Sequence, residues 1–169
     1  MRPDSSEYVP YYGRYVALVP DGPIVDLLRA QIRDTSALLR SLPESKGDYS
    51  YAPGKWTLKQ VVGHVADTER VFGYRALRFA RGDATPVPGF EQDDYAREGA
   101  FESRTIRHLA DELEAVRRAT VLLFEGLDEQ AWSRRGTASS NPVTVRALAY
   151  IIAGHERHHL KILNDRYLA

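Results

Sequence analysis

The chain has 169 residues, with 23 Lys+Arg balanced by 23 Asp+Glu and 43% hydrophobic content, values that suit one well-buried globular domain and are small for two. Neutral net charge excludes a global attraction to nucleic acid or to an anionic membrane, and the longest uncharged apolar run, Ala147 to Gly154, is too short to span a bilayer. The absence of cysteine excludes disulfides, thiolate ligands and a cysteine nucleophile, so any metal must be held by histidine and carboxylate. The first residues lack an apolar secretory core, and the expectation is a cytoplasmic protein.

Residues 1–20 read as an N-terminal arm, with Tyr8, Tyr11, Tyr12 and Tyr15 available to pack on the body. A first helix is expected from Pro23 to Leu42, because Ile24, Leu27, Leu28, Ile32, Leu38, Leu39 and Leu42 recur at helical spacing and proline suits a first helical position. Thr57 and Gln60 form a capping-box pattern that opens a second helix, which should run to about Ala80. Gly82 to Arg104 is a long crossover loop, with room for a short helix near Asp93 to Ala96. A third helix spans about Thr105 to Gly126, and a fourth begins near Asn141 to Thr144 and continues to about Leu163. The stretches 43–56 and 128–142 read as loops, and no alternating pattern is long enough to build a sheet. These elements predict a single all-α domain over 1–169, a four-helix bundle with the long crossover between helices two and three.

The histidines carry the chemistry. On the fourth helix, Leu148, Ile151, Ile152, His155, His159, Ile162 and Leu163 share one face, which puts both histidines on the core stripe with Cβ atoms roughly 5–6 Å apart. His64 is bracketed by Val61 and Val65 on the buried stripe of the second helix. One inward imidazole is readily satisfied in a core, but three brought together by packing two helices are better explained by a divalent ion. Three protein ligands leave a coordination position open for water or substrate, as catalytic sites do. Neutral imidazole suits Zn²⁺, Ni²⁺, Cu²⁺ or Fe²⁺, with zinc or nickel expected first and iron next. His108 is expected at the surface, and His158 on a partly exposed flank.

His155-Glu156-Arg157-His158-His159 also fits the H-E-x-x-H pattern of zinc peptidases. Ten residues follow His159, none of them His or Glu, so the usual downstream third ligand is missing. A carboxylate-bridged di-iron bundle fails as well, because Glu69 is followed at i+3 by Phe72 rather than histidine.

The segments Trp56 to Arg70 and Gly154 to His159, with Tyr15 to Pro20 and Pro88 to Tyr95, resemble the DinB-like superfamily of metal-dependent enzymes, in particular its four-helix members related to bacterial thiol S-transferases. The resemblance covers nearly the whole chain. It implies an up-down-down-up bundle, a metal held by His64, His155 and His159, and a homodimer. Relatives of that kind include bacillithiol or mycothiol transferases and a thiol-dependent isomerase. The resulting expectation is a small-molecule enzyme, foremost a low-molecular-weight-thiol-dependent S-transferase, with no nucleic-acid or membrane partner. A hydrolase using metal-bound hydroxide and a non-catalytic metal- or ligand-binding stress protein are the alternatives. Asp67 and Glu156 are the residues expected to orient a ligand ring or relay a proton, each competing with a role in an exposed salt bridge. Arg70, Arg75 and Arg78 could hold the carboxylates of an anionic thiol, although a solvated face accounts for them more simply.

Overall fold

A computed structural model describes residues 2–168. The arm contains a 3-10 turn at Ser5–Glu7 and helix α1 (Pro10–Val16). The bundle is built by α2 (Ile24–Ser41), α3 (Leu58–Ala80), α5 (Ile106–Glu125) and α7 (Val145–Ile162), and α7 runs on into a π-helical turn, Leu163–Tyr167. The crossover carries α4 (Gln92–Glu98). Between α5 and α7 lie α6 (Glu129–Ser133) and a hairpin of β1 (Arg135–Ala138) and β2 (Asn141–Thr144).

Local chemistry sets the helix starts. Thr57 accepts from the Gln60 amide while the Gln60 side chain accepts from the Thr57 amide, so α3 opens on the expected capping box. Thr105 and Thr144 cap α5 and α7 through the amides of His108 and Ala147. Pro23 precedes α2 as its N-cap rather than its first residue.

The directions of the four long helices follow from what meets at one end. Glu44, just past α2, accepts from the Ile106 amide at the start of α5 and pairs with Lys59 at the start of α3. The Tyr167 hydroxyl, beyond α7, donates to Trp56 O just before α3. Hence α2 and α7 end where α3 and α5 begin, an up-down-down-up arrangement. Its two parallel neighbours, α3 and α5, need the long crossover to join them.

Two corrections concern the α5–α7 connection. The stretch read as a loop contains α6, and the residues read as the start of the fourth helix are β2, so α7 begins at Val145. The strands are four residues each, paired antiparallel from Arg135↔Thr144 to Ala138↔Asn141, and Ser139 and Ser140 turn the chain with positive φ. Strands this short, one containing Pro142, show no period-two signal. The hairpin anchors the crossover, since Val87 donates to Thr137 O and accepts from the Ser139 amide.

The core divides into two apolar clusters. One joins Tyr15, Phe72, Phe79, Phe124 and the first turns of α7; the other joins Leu39, Leu58, Val61, Leu109, Leu113 and Tyr167. Between them each long helix contributes polar residues at one level: Gln31 and Thr35 from α2, His64, Thr68 and Glu69 from α3, Arg117 from α5, and His155 and Glu156 from α7, all buried. Isolated polar groups at such depth cost several kcal/mol, so this layer stands because its members satisfy one another.

Candidate metal centre

His64 and His155 place their Nε2 atoms 3.1 Å apart, and His155 and His159 place theirs 3.2 Å apart. The three donor atoms all lie within 4.8 Å of one another, and this is the one group of potential metal ligands among the described residues. Metal–nitrogen bonds of about 2.0–2.1 Å at tetrahedral angles would set the nitrogens about 3.3 Å apart, so the two separations to His155 suit an ion held through Nε2. Protons alone serve the cluster badly, because one N–H can satisfy one of its two neighbours at a time. The donor set fits a divalent ion.

Electrostatics favours the ligating form. Burial lowers His64 to about 4. It lowers His159 to about 3, helped by neighbouring His64, His158 and Arg14. Burial, then the other histidines, takes His155 well below the ordinary value. Neutral imidazoles with free Nε2 lone pairs are what a cation requires.

Close backbone packing positions the rings. A Cβ at Gly154, just before His155, would lie 2.0 Å from the Tyr15 carbonyl oxygen, so glycine lets α1 rest directly on α7. The Tyr15 ring then packs edge-on against His155 and His158 at 5.4 Å each. A Cβ at Gly63, just before His64, would meet the Phe101 ring at 2.2 Å. Trp56 lies 4.7 Å from His64 on its other side. His64 Nδ1 lies 3.4 Å from Thr68 Oγ1, a long contact in which Nδ1–H would donate to the hydroxyl whenever Nε2 serves the cluster as a ligand.

The two carboxylates expected at the reaction centre are placed elsewhere, and neither hydrogen-bonds a histidine among the described residues. Asp67 accepts from Arg70 on the bundle surface, and burial raises its carboxyl against that pairing. Glu156 is 1% exposed and turned toward α2 and α5, where it accepts from Thr35 and Gln31 at 2.5 Å each and from Arg117 at 2.6 Å. Arg117 also spans Glu69 with two bonds of 2.8 Å and donates to Leu28 O. Burial alone would lower Arg117, but Glu69 and Glu156 outweigh it and hold it charged. Sequence reasoning weighed Glu69 only as a di-iron ligand and missed Arg117 altogether. The signal was there: Val62, Val65, Glu69, Phe72 and Ala76, and likewise Ala110, Leu113, Arg117, Val121 and Phe124, put each on an apolar stripe.

Two cavities open beside the cluster. One, of 290 Å³, is lined by Tyr12, Tyr15, His64, His155, Phe72 and Arg75 among others. The other, of 320 Å³, is lined by His159, Trp56, Tyr51, Asp93 and Tyr167 among others. Gln92 of α4 borders both, so the crossover helix stands between the two mouths. Of the three arginines on α3 singled out in the sequence, Arg70 is exposed and Arg78 is half-buried and paired with Asp83, while Arg75 is 2% exposed. His108 is exposed and His158 partly buried, as expected.

Comparison with known proteins agrees with this geometry. A candidate metal-dependent hydrolase of Oceanobacillus iheyensis is 27% identical over 124 residues, 72% of this chain and 70% of that protein. The structure of YfiT from Bacillus subtilis, described as a probable metal-dependent hydrolase with an unusual four-helix bundle topology, superimposes with a TM-score of 0.71 at 16% identity, over 98% of this chain and 90% of that one. A mycothiol-dependent maleylpyruvate isomerase superimposes with a TM-score of 0.67 at 18% identity, over 83% of this chain and 60% of the isomerase. At these identities the two structures speak for the fold. Residues 27–163 match the DinB superfamily, and the chain belongs to it.

Proposed function

We propose that the protein is a metal-dependent enzyme in which His64, His155 and His159 hold one divalent ion, and that it acts on small molecules with a low-molecular-weight thiol as co-substrate. The observation that carries the reading is the convergence of three neutral imidazoles, two buried and one partly buried, with no fourth protein ligand in the group. When bound, the ion supplies Lewis-acid activation of a thiol or a water near neutral pH. The protein does the rest. Thr68 holds the His64 tautomer, Tyr15 and Trp56 wall the rings against bulk water, and the buried Glu69–Arg117–Glu156 group keeps α3, α5 and α7 in register behind the site.

Two cavities meeting at one cluster suit a reaction with two substrates, a thiol and an electrophile, and the thiol-dependent isomerase shares the fold. Hydrolysis is the second reading, favoured by the relative described as a candidate metal-dependent hydrolase. The deciding experiment loads the protein with Zn²⁺ or Ni²⁺ and follows a panel of electrophiles and esters with and without added thiols. Turnover that needs the thiol supports the transferase; equal turnover in its absence removes it in favour of the hydrolase. Failure to retain stoichiometric metal removes both.

A further inference from the structure

Arg75 and Arg117 are both buried, at 2% and 0% exposure, yet their surroundings are opposite. Arg117 is neutralised by two carboxylates. Arg75 forms no ion pair among the described residues. Its Nη2 donates to Pro88 O at 3.0 Å and to Ser139 Oγ at 2.9 Å, both uncharged acceptors, and the Phe72 ring lies 5.3 Å from its guanidinium carbon. Its Nε is enclosed without a partner, and the Tyr12 hydroxyl, a further polar neighbour, is uncharged as well. Glu91 borders the same cavity but stands exposed at the rim, outside ion-pair distance. A guanidinium cannot shed its charge as a buried lysine can, so an uncompensated one is costly wherever no anion joins it.

The position of this charge is informative. Arg75 lines the 290 Å³ cavity together with His64 and His155, and Tyr12 stands within reach of it. The hairpin turn supplies Ser139 and the crossover supplies Pro88, so two separate loops converge to hold Nη2 while Nε stays unused. A planar oxyanion is what such a fork matches.

We propose that Arg75 is the carboxylate-recognition residue of the substrate cavity, so that the molecule bound beside the metal carries a carboxylate. This rests on the metal-centre reading and narrows its substrate class to anionic compounds. A ligand reaching from the open metal position toward Arg75 would supply the missing counter-charge, while its apolar middle lies along Phe72 and the tyrosines. Neutral analogues would leave the guanidinium buried and unpaired, which is how such a site discriminates.

The test uses succinic monohydroxamic acid and its methyl ester, which share a metal-binding head and differ in the distal charge, titrated calorimetrically into Zn²⁺-loaded protein. The acid should bind about tenfold tighter than the ester, as expected for a charge-assisted pair. Arg75→Gln should erase that preference at unchanged metal content, Arg75→Lys should keep part of it, and Arg78→Gln should keep it all. Equal binding of acid and ester to the wild type, or a preference that survives Arg75→Gln, overturns the proposal. A second arm needs no metal: succinate should raise the Tm of metal-free wild type and leave that of Arg75→Gln unmoved, and an equal rise in both overturns the assignment. Loss of metal binding would thus count against the metal centre, while the succinate arm still judges Arg75.

Discussion

Arg117 donates to Glu156 at 2.6 Å with both side chains 1% exposed, and the same guanidinium spans Glu69. This group links α3, α5 and α7 at the level of the histidines, and Gln31 and Thr35 tie it to α2. Replacing Arg117 by Met leaves two carboxylates buried without a cation. The expected cost is about 3–5 kcal/mol, read as a lower urea midpoint at unchanged slope. A loss below about 1 kcal/mol would mean that water reaches the carboxylates.

Glu156 is bonded within that group and to no histidine among the described residues, and a milder change tests whether it also acts in the reaction. Glu156→Gln should lower stability yet still bind metal stoichiometrically and retain most of the activity once an assay exists. Abolished turnover in a folded, metal-loaded Glu156→Gln protein would restore a direct chemical role.

His155 sits between the other two ligands, so His155→Ala should reduce uptake from one divalent ion per chain to none while circular dichroism stays near wild type. His108→Ala, on the exposed face of α5, should change neither. Metal analysis after gel filtration reads both.

Gly154 and Gly63 each precede a ligand, but their neighbours differ in freedom to move. Alanine at 154 meets the Tyr15 backbone, which cannot swing aside, whereas alanine at 63 meets the Phe101 ring. Gly154→Ala should therefore be the costlier of the two, by about 1–3 kcal/mol or more as for other overpacked sites. It should also loosen the arm, seen as faster proteolytic cleavage before residue 20.

Glu7 fastens the arm by accepting from Arg146 and from the Thr144 hydroxyl. Burial pushes its carboxyl up, but the bonds from Arg146, Thr144 and the Asp4 amide together hold it below its ordinary 4.5. A carboxyl with a depressed folded pKa contributes stability above 4.5 that fades as pH falls through the folded value. The stability gap between wild type and Glu7→Gln should accordingly be full near neutrality and close in the acid range. A gap that persists unchanged at pH 2–3 would assign it to packing.

The bundle was legible because four long helices repeat their apolar residues every 3.6 positions and announce their starts through Thr57, Thr105 and Pro23. The histidines were legible as a set, since His155 and His159 share a stripe and His64 lies on another. Arg117 was not recognised and Glu69 was weighed only as a di-iron ligand, because a charged residue on a stripe is ordinarily read as an interruption; Arg75 was picked out, but a solvated face accounted for it more simply. What makes Glu69 and Arg117 tolerable is a partner on a different element, and pairings across 39 to 48 residues leave no local periodicity. The hairpin at 135–144 escaped for a related reason: its Val87 contact lies about fifty residues upstream.

The three clustered histidines all come from the interiors of α3 and α7, whereas much of the lining of the adjoining cavity comes from the arm, the crossover and the turn at Ser139. Anchoring therefore stays within two helices, whereas selection is shared between Phe72 and Arg75 of α3 and the short connections that close over them. Exchanging the turn or the crossover can re-aim the cavity toward another compound while the reactive core is inherited intact, so kinship through the bundle says far less about diet than those short connecting pieces do.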